Sequence, residues 1–191
     1  MQLSFAVLAA TVGAALAAPS LEARQNACFV VGNTVLPKEV ADAAASLAGK
    51  VTCDASVKTL SGVPDVDAGG VKFSSINFAA SKTQTPLAFA LDKFATKEPL
   101  ASNDLATFQN QVDAYTATEA GIRSVGGNFA AIKIPKFFLA MQISRIQTAQ
   151  GNPPTAAGAQ VDHLRDKVLK NSPRESKALL DQVTALAAKT S

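Results

Sequence analysis

From Thr85 onwards, one segment after another places apolar residues at helical spacing behind a residue that caps helices. The clearest stripe runs through Leu105, Phe108, Val112 and Tyr115, which are three, four and three residues apart. Because an α-helix turns once in about 3.6 residues, these side chains share one face, and that face has to be buried against another element. The chain is therefore predicted to be mainly α.

Capping residues place most of the helix starts. Pro37 is predicted to open a first helix, and Thr85 followed by a proline opens a second. Ser102 is predicted to cap the long helix, and a capping box that starts at Ser172 opens the last one. The segment 132–146 is apolar on more than one face, which predicts a central helix that is contacted from several sides.

The stretch before Thr85 lacks a sustained period. Glycines and prolines punctuate it, and the sequence VKFSSINF at 71–78 is typical of either a short strand or an irregular edge. We therefore expect a compact bundle of five or six helices that follows an irregular, disulfide-tied amino-terminal segment with room for short strands.

The first 17 residues form an apolar run that ends in Ala15-Leu16-Ala17. This run is short for a membrane span and ends in a small-x-small cleavage pattern, so it is interpreted as a secretory signal peptide. Residues 18–24 are interpreted as a propeptide, and residues 25–191 as a single mainly helical domain. The protein is expected to be secreted and extracellular, with no membrane span.

Secretion determines how the two cysteines are interpreted. An even pair in an oxidising compartment predicts one intramolecular disulfide between Cys28 and Cys53. Two free thiols or a redox pair are the alternative, but these cysteines lack the close spacing of a redox motif.

Composition argues against several classes of site. With one His and two Cys, no Cys/His zinc cluster or multi-His metal site is expected, and neither is a cofactor. The formal net charge is only +3, so no nucleic acid is expected as a partner. The segment 65–70 begins like a calcium loop, but Ile76 stands where an EF-hand needs its bidentate Glu, which favours a solvated turn. His163 is expected on the surface of a helix.

Two groups near the central helix have both a functional and a structural interpretation. Lys133, Lys136, Phe137 and Phe138 combine charges with rings, as single-strand-binding platforms do, but core packing is favoured. The two glycines that follow Arg123 could form an anion-cradling loop, yet they are predicted to end one helix and turn the chain.

Five apolar residues are the candidates for a ligand cavity. If they surround an unfilled space between helices, the protein would carry a hydrophobic small molecule such as a lipid or sterol. A filled core is favoured over the cavity. These residues are Phe129, Ile132, Ile134, Phe138 and Met141.

The leader APSLEARQ, the pair Cys28 and Cys53, and the segments NTVLPKEVADA and IPKFFLAMQISRIQTAQGNPP resemble the small secreted proteins of ascomycete fungi, a group of largely unassigned biochemistry. The resemblance implies an extracellular role, at the fungal surface or as a host-directed effector or elicitor. It implies no catalytic residue.

The leading functional hypothesis is a secreted, non-enzymatic binding protein, favoured as a monomer. Its partner would be an extracellular protein, a cell-wall component or an apolar ligand. The carrier of a hydrophobic molecule is the alternative. A hydrolase that uses the dispersed carboxylates Asp104, Asp113 and Glu119 is the third hypothesis.

Overall fold

A computed structural model describes residues 27–191, and the signal peptide and propeptide predicted for residues 1–24 lie outside that range. The described part contains six α-helices and a three-stranded sheet, which confirms a mainly α chain. In chain order the elements are α1 (Lys38–Leu47), β1 (Val51–Lys58), β2 (Pro64–Ala68), β3 (Val71–Lys72), α2 (Pro86–Lys93), α3 (Leu105–Ser124), α4 (Lys133–Ala149), α5 (Val161–Asn171) and α6 (Lys177–Ala187).

The helices α3 and α4 form the centre of the molecule. Helix α4 contacts α2, α3 and α5, while α1 packs on α3 and α6 packs on α5. Most side chains of α4 from Ile134 to Ile146 are buried, as the sequence predicts for a central helix. Pro135 lies in the first turn of α4, where its missing N–H does not remove a hydrogen bond of the helix.

The end of α3 is closed by two glycines. The Gly127 N–H donates to the Ile122 carbonyl at 2.8 Å, and the Gly126 N–H donates to the Arg123 carbonyl at 3.1 Å. This is the Schellman pattern, and it needs the positive φ of +70° that Gly126 adopts. The prediction that these glycines end a helix is confirmed.

The amino-terminal part carries a small antiparallel sheet in the order β1-β2-β3. Val51 pairs with Ala68 at one end of the β1-β2 ladder, and a tight turn then leads into β3. Of the segment 71–78, only the first two residues form a strand. The remainder forms short 3₁₀ turns that bury Phe73 and Ile76. The longer strand β1 is not apparent from the sequence.

The disulfide between Cys28 and Cys53 is present, with the two Cα atoms 5.9 Å apart. It ties the segment before α1 to β1, as the sequence predicts. The same segment lies directly on α3, where a Cβ at Gly121 would come within 2.6 Å of the Phe29 carbonyl oxygen. Glycine at position 121 therefore allows the amino-terminal segment to reach the core, where Phe29 is fully buried.

The cap of α3 differs from the prediction. The carboxylate of Asp104, and not the hydroxyl of Ser102, accepts the hydrogen bond from the Ala106 N–H, at 3.1 Å. Ser102 instead ends a short 3₁₀ turn. Helix α3 therefore starts two residues closer to its apolar stripe than Ser102 would place it.

The start of the last helix also differs. Ser176 caps α6, and the predicted capping box at Ser172 does not form. Its acidic member, Glu175, instead accepts hydrogen bonds from the Thr85 hydroxyl at 2.7 Å and from the Leu87 N–H. Glu175 therefore stabilises the amino-terminal end of α2, about 90 residues earlier in the chain.

Within residues 27–191, no helix combines the length and the apolarity that crossing a bilayer requires.

Candidate functional site

A cleft of about 470 Å³ opens between four helices, and we call it the cationic cleft. Helix α1 contributes its first turns, α3 its second half, α4 its first turn and α5 its last turn. Val40 and Phe137 supply apolar surface to the wall. Five cationic side chains line the cleft: Arg123, Lys133, Lys136, Lys167 and Lys170.

One carboxylate, that of Glu119, is buried in the wall of the cleft and only 3% exposed. Its Oε1 accepts from Arg123, with Nε at 2.8 Å and Nη2 at 2.7 Å, and its Oε2 pairs with the Lys136 ammonium. Arg123 lies one helical turn further along α3, and the packing of α4 on α3 brings Lys136 to the other oxygen. A buried carboxylate is costly unless it is paired, and here two cations compensate it.

The cationic cleft holds the excess positive charge of residues 27–191. Of these residues, five cationic side chains but only two acidic ones, Glu39 and Glu119, line it. Residues 27–191 contain 17 of the 18 basic and 14 of the 15 acidic residues, so 12 of each lie outside the cleft. The formal net charge of +3 is thus concentrated in one concave surface.

The ring of Phe129 supports this arrangement from the loop between α3 and α4. The Arg123 guanidinium carbon lies 3.5 Å from the ring centroid, and the Lys133 ammonium lies 4.8 Å from it. Such cation–π contacts are worth roughly 0.5–1 kcal/mol at exposed positions and more where water is excluded. Arg123 is therefore held from two sides, by Glu119 and by Phe129, and its direction at the cleft is fixed.

This set of residues suits the binding of an anion. The lining contains no Cys, His or Ser, and its one buried carboxylate is already bound by two cations. Lys133, Lys167 and Lys170 have no carboxylate of the described residues within 4 Å. Their ammonium groups remain available to a ligand.

The residues predicted to line an apolar cavity lie mostly in the core. Ile132, Phe138 and Met141 are at most 1% exposed, Ile134 is also buried, and Phe129 packs half-buried against the same core. The cationic cleft and the two smaller clefts described below are not lined by these residues. The apolar cavity therefore stays a prediction.

The group Lys133, Lys136, Phe137 and Phe138 divides between core and surface. Phe138 is fully buried, so the core-packing interpretation is right for this ring. Phe137 is partly buried and also packs against the core, and together with Lys133 and Lys136 it lines the cationic cleft. They do so because α4 starts at Lys133, and its first turn faces α3 on one side and solvent on the other.

The dispersed carboxylates on α3 do not come together. Asp104 and Glu119 are 15 residues apart on one helix, about 22 Å along its axis at 1.5 Å per residue. Asp104 caps the helix, and hydrogen bonds from Thr107 and Ala106 lower the pKa of its carboxyl group. Asp113 lies between them and is partly buried, which raises its pKa.

The remaining candidate residues from the sequence are the acidic residues of the segment 65–70 and His163. Asp65 is buried and accepts hydrogen bonds from the Ser74 N–H and hydroxyl, and Asp67 accepts from the Gly70 N–H in the β2-β3 turn. His163 is exposed on α5. Among residues 27–191, no group of three or more His, Cys, Asp or Glu side chains is placed to hold a metal ion. A third cleft, of about 230 Å³, lies beside Asp65 and Asp67.

Sequence reasoning missed the contributions of α1 and α5 to the cleft. Lys167 and Lys170 lie towards the end of α5, beside the face that carries its buried residues Leu164 and Val168. Their three-residue spacing puts both ammonium groups on one face, and this is a signal that the sequence does contain. The sequence does not show that this face of α5 lies across the cleft from Glu119.

The fold and the site thus define a mainly α, disulfide-bonded protein with a cationic cleft. The sequence model of a family described as "Domain of unknown function (DUF7143)" matches residues 30–191, and the chain belongs to that family. No curated protein and no solved structure matches the chain.

Proposed function

We propose that this protein is a secreted, non-enzymatic binding protein that takes a small organic anion in its cationic cleft. The observation that carries the proposal is a group of three lysines around a concave wall that have no carboxylate partner among residues 27–191: Lys133, Lys167 and Lys170. Positive charge that is concentrated in a cleft with low-dielectric walls attracts anions over several ångströms.

The shape and lining of the cleft favour an organic anion over a bare ion. A volume of about 470 Å³ lies within the range of roughly 300–1,000 Å³ that small-molecule sites occupy. Phe137 and Val40 offer apolar surface beside the lysines. A ligand that joins an anionic group to a small ring or chain uses both parts of the wall.

The extracellular setting of the proposal rests on two features. The leader has the pattern of a secretory signal peptide, and a disulfide between Cys28 and Cys53 is compatible with an oxidising compartment. Outside the cell, a protein of this kind would act at the fungal surface or towards a host, as the resemblance to ascomycete secreted proteins implies.

Phenyl phosphate and inorganic phosphate are suitable probes for isothermal titration calorimetry. Phenyl phosphate is expected to bind more tightly than phosphate, because its ring can contact Phe137. The double variant Lys167→Gln, Lys170→Gln should lower its affinity by about tenfold, which is 1.4 kcal/mol. The control is Lys38→Gln, Lys177→Gln, which removes the same charge from exposed i,i+4 pairs outside the cleft.

The outcomes separate specific binding from general attraction to charge. An equal loss of affinity in both double variants would show that the probe responds to net charge alone. The absence of binding to the wild-type protein would also overturn the proposal. Release of phenol from phenyl phosphate would contradict the non-enzymatic part of it.

A further inference from the structure

A second cleft, of about 320 Å³, opens on the opposite half of α4. It lies where α4 meets α2, the loop after α2, and α6, and we call it the Arg145 cleft after the residue beneath it. Leu91 and Leu186 give it apolar walls, and Ala185 lies at its edge on α6. None of the residues that line it also lines the cationic cleft.

Arg145 is the largest fully buried side chain of the described residues. Its Nε donates to the Lys189 carbonyl at 2.8 Å, and its Nη1 donates to the Gln142 Oε1 at 2.6 Å and to the Thr96 hydroxyl at 3.4 Å. All three of these acceptors belong to residues that line the Arg145 cleft. The guanidinium group therefore lies directly behind the wall of this cleft.

The charge of Arg145 lacks a counter-ion. No carboxylate of residues 27–191 lies within 4 Å of it, and its Nη2, which is buried, has no hydrogen-bond partner. Burial lowers the pKa of this guanidinium, and the charge of Glu98 nearby raises it in part. Glu98 is itself exposed, at the rim of the cleft.

Such a cation is an unusual feature of a protein interior. Buried charges are normally paired, because desolvating an ion costs several kcal/mol unless another charge and further hydrogen bonds compensate it. The Nη2 of Arg145 keeps N–H groups that can donate to a carboxylate oxygen, and such charge-assisted bonds are about twice as strong as neutral ones. An anion that enters the adjacent cleft would supply what the chain does not.

We propose that the Arg145 cleft binds a monocarboxylate with an apolar chain, the carboxylate directed at Arg145 and the chain lying against Leu91 and Leu186. This site is separate from the cationic cleft and does not depend on it. A volume of about 320 Å³ lies at the lower end of the range for ligand sites, roughly 300–1,000 Å³, so the chain is short or medium in length.

The carboxylate of Glu98 would compete with an anionic ligand in the Arg145 cleft. This carboxylate lies at the rim of the same cleft and interacts electrostatically with Arg145. Like charges repel, so Glu98 weakens the binding of a carboxylate ligand. The variant Glu98→Gln is therefore expected to bind the ligand more tightly, by about two- to fivefold for a charge at an exposed position.

Octanoate is the probe, and 1-octanol, with the same chain and no charge, is its control. Isothermal titration calorimetry should show saturable binding of octanoate and at least about tenfold weaker binding of octanol. Ala185→Trp should block the cleft, while Ala178→Trp adds the same side chain at an exposed position of α6 outside it. Arg145→Lys keeps the charge but removes the unpartnered Nη2, so it should weaken octanoate binding and leave octanol unchanged.

The proposal is overturned by any of three results. These are no binding of octanoate, equal binding of octanol, or unchanged octanoate binding in Ala185→Trp. If Arg145→Lys does not fold, Glu98→Gln and Ala185→Trp decide the question. Phenyl phosphate binding should stay unchanged in Ala185→Trp, so a failure here is distinguishable from a failure of the cationic cleft.

Discussion

The two clefts lie over buried charges that the chain treats in opposite ways. Beneath the cationic cleft, the Glu119 carboxylate is held by Arg123 and Lys136. Beneath the Arg145 cleft, the guanidinium has neutral oxygen acceptors only. In the cationic cleft the buried carboxylate is paired, and the neighbouring lysines form the proposed binding site. In the Arg145 cleft the buried guanidinium is itself the proposed binding group for a ligand.

Both arrangements follow from the burial of α3 and α4. These two helices are surrounded by other elements over much of their length, so a charged side chain on them cannot always reach solvent. Glu119 faces the junction of α3 and α4, where cations from both helices meet it. Arg145 lies further along α4, where the loop after α2 and the segment after α6 supply neutral hydrogen-bond acceptors.

The largest expected effect is on stability, at the compensated charge. Glu119→Gln leaves two cations without their counter-ion, and breaking a buried pair in this way typically costs about 3–5 kcal/mol. Asp162→Asn breaks an exposed contact with Arg165 and should cost less than about 1 kcal/mol. Urea unfolding measures both values, and similar small losses in the two variants would show that Glu119 is not an anchor of the cleft.

The next largest effect is on ligand affinity, and it distinguishes the two clefts. Lys167→Gln, Lys170→Gln should weaken phenyl phosphate binding by about tenfold and leave octanoate binding unchanged. The reason is that these lysines line only the cationic cleft. Parallel calorimetric titrations of the double variant with both probes make the comparison. Equal weakening of both would mean that the two clefts do not act as separate sites.

A smaller effect is expected at the uncompensated charge. Arg145→Met removes an ion whose burial is costly and keeps most of the side-chain volume, but three acceptors lose a donor. The two contributions oppose each other, so the net loss should be about 1 kcal/mol, well below that of Glu119→Gln. If urea unfolding shows a loss as large as that of Glu119→Gln, then Arg145 is compensated in the folded protein.

The smallest effect concerns a partly buried charge, that of Asp113 on α3. Burial raises the pKa of its carboxyl group, so the folded state binds this proton more tightly than the unfolded state does. The carboxylate therefore destabilises the fold above the raised pKa, and the effect disappears as the pH falls below the ordinary value of 3.8.

Asp113→Asn removes this effect and should raise the melting temperature slightly at pH 7 and not at pH 3. The wild-type protein and the variant are compared by calorimetric melting at the two pH values. A variant that is less stable than the wild type at pH 7 would contradict the assignment.

The helical part could be predicted because its signals are local. The stripe from Leu105 to Tyr115 requires a buried helix face, and the two glycines after Val125 end that helix by backbone geometry alone. Two of the caps could not be fixed in this way. Asp104 follows Ser102 by two residues and Ser176 follows Ser172 by four, so several residues compete for each cap and tertiary contacts decide between them.

The clefts could not be predicted because they depend on contacts distant in sequence. Glu119 appears in the sequence as one of several dispersed carboxylates, and only the packing of α4 on α3 brings Lys136 to it. Likewise, Arg145 looks like an ordinary polar residue among apolar neighbours. Its burial depends on the carbonyl of Lys189, which is 44 residues away.

The most direct test of the proposed anion site is a titration of isotopically labelled protein with phenyl phosphate, followed by the amide signals in two-dimensional NMR. The expected result is saturable shifts at the end of α3, the start of α4 and the end of α5, around Arg123, Lys133 and Lys170. Shifts that do not saturate and that spread to exposed lysines such as Lys38 and Lys177 would contradict a specific site.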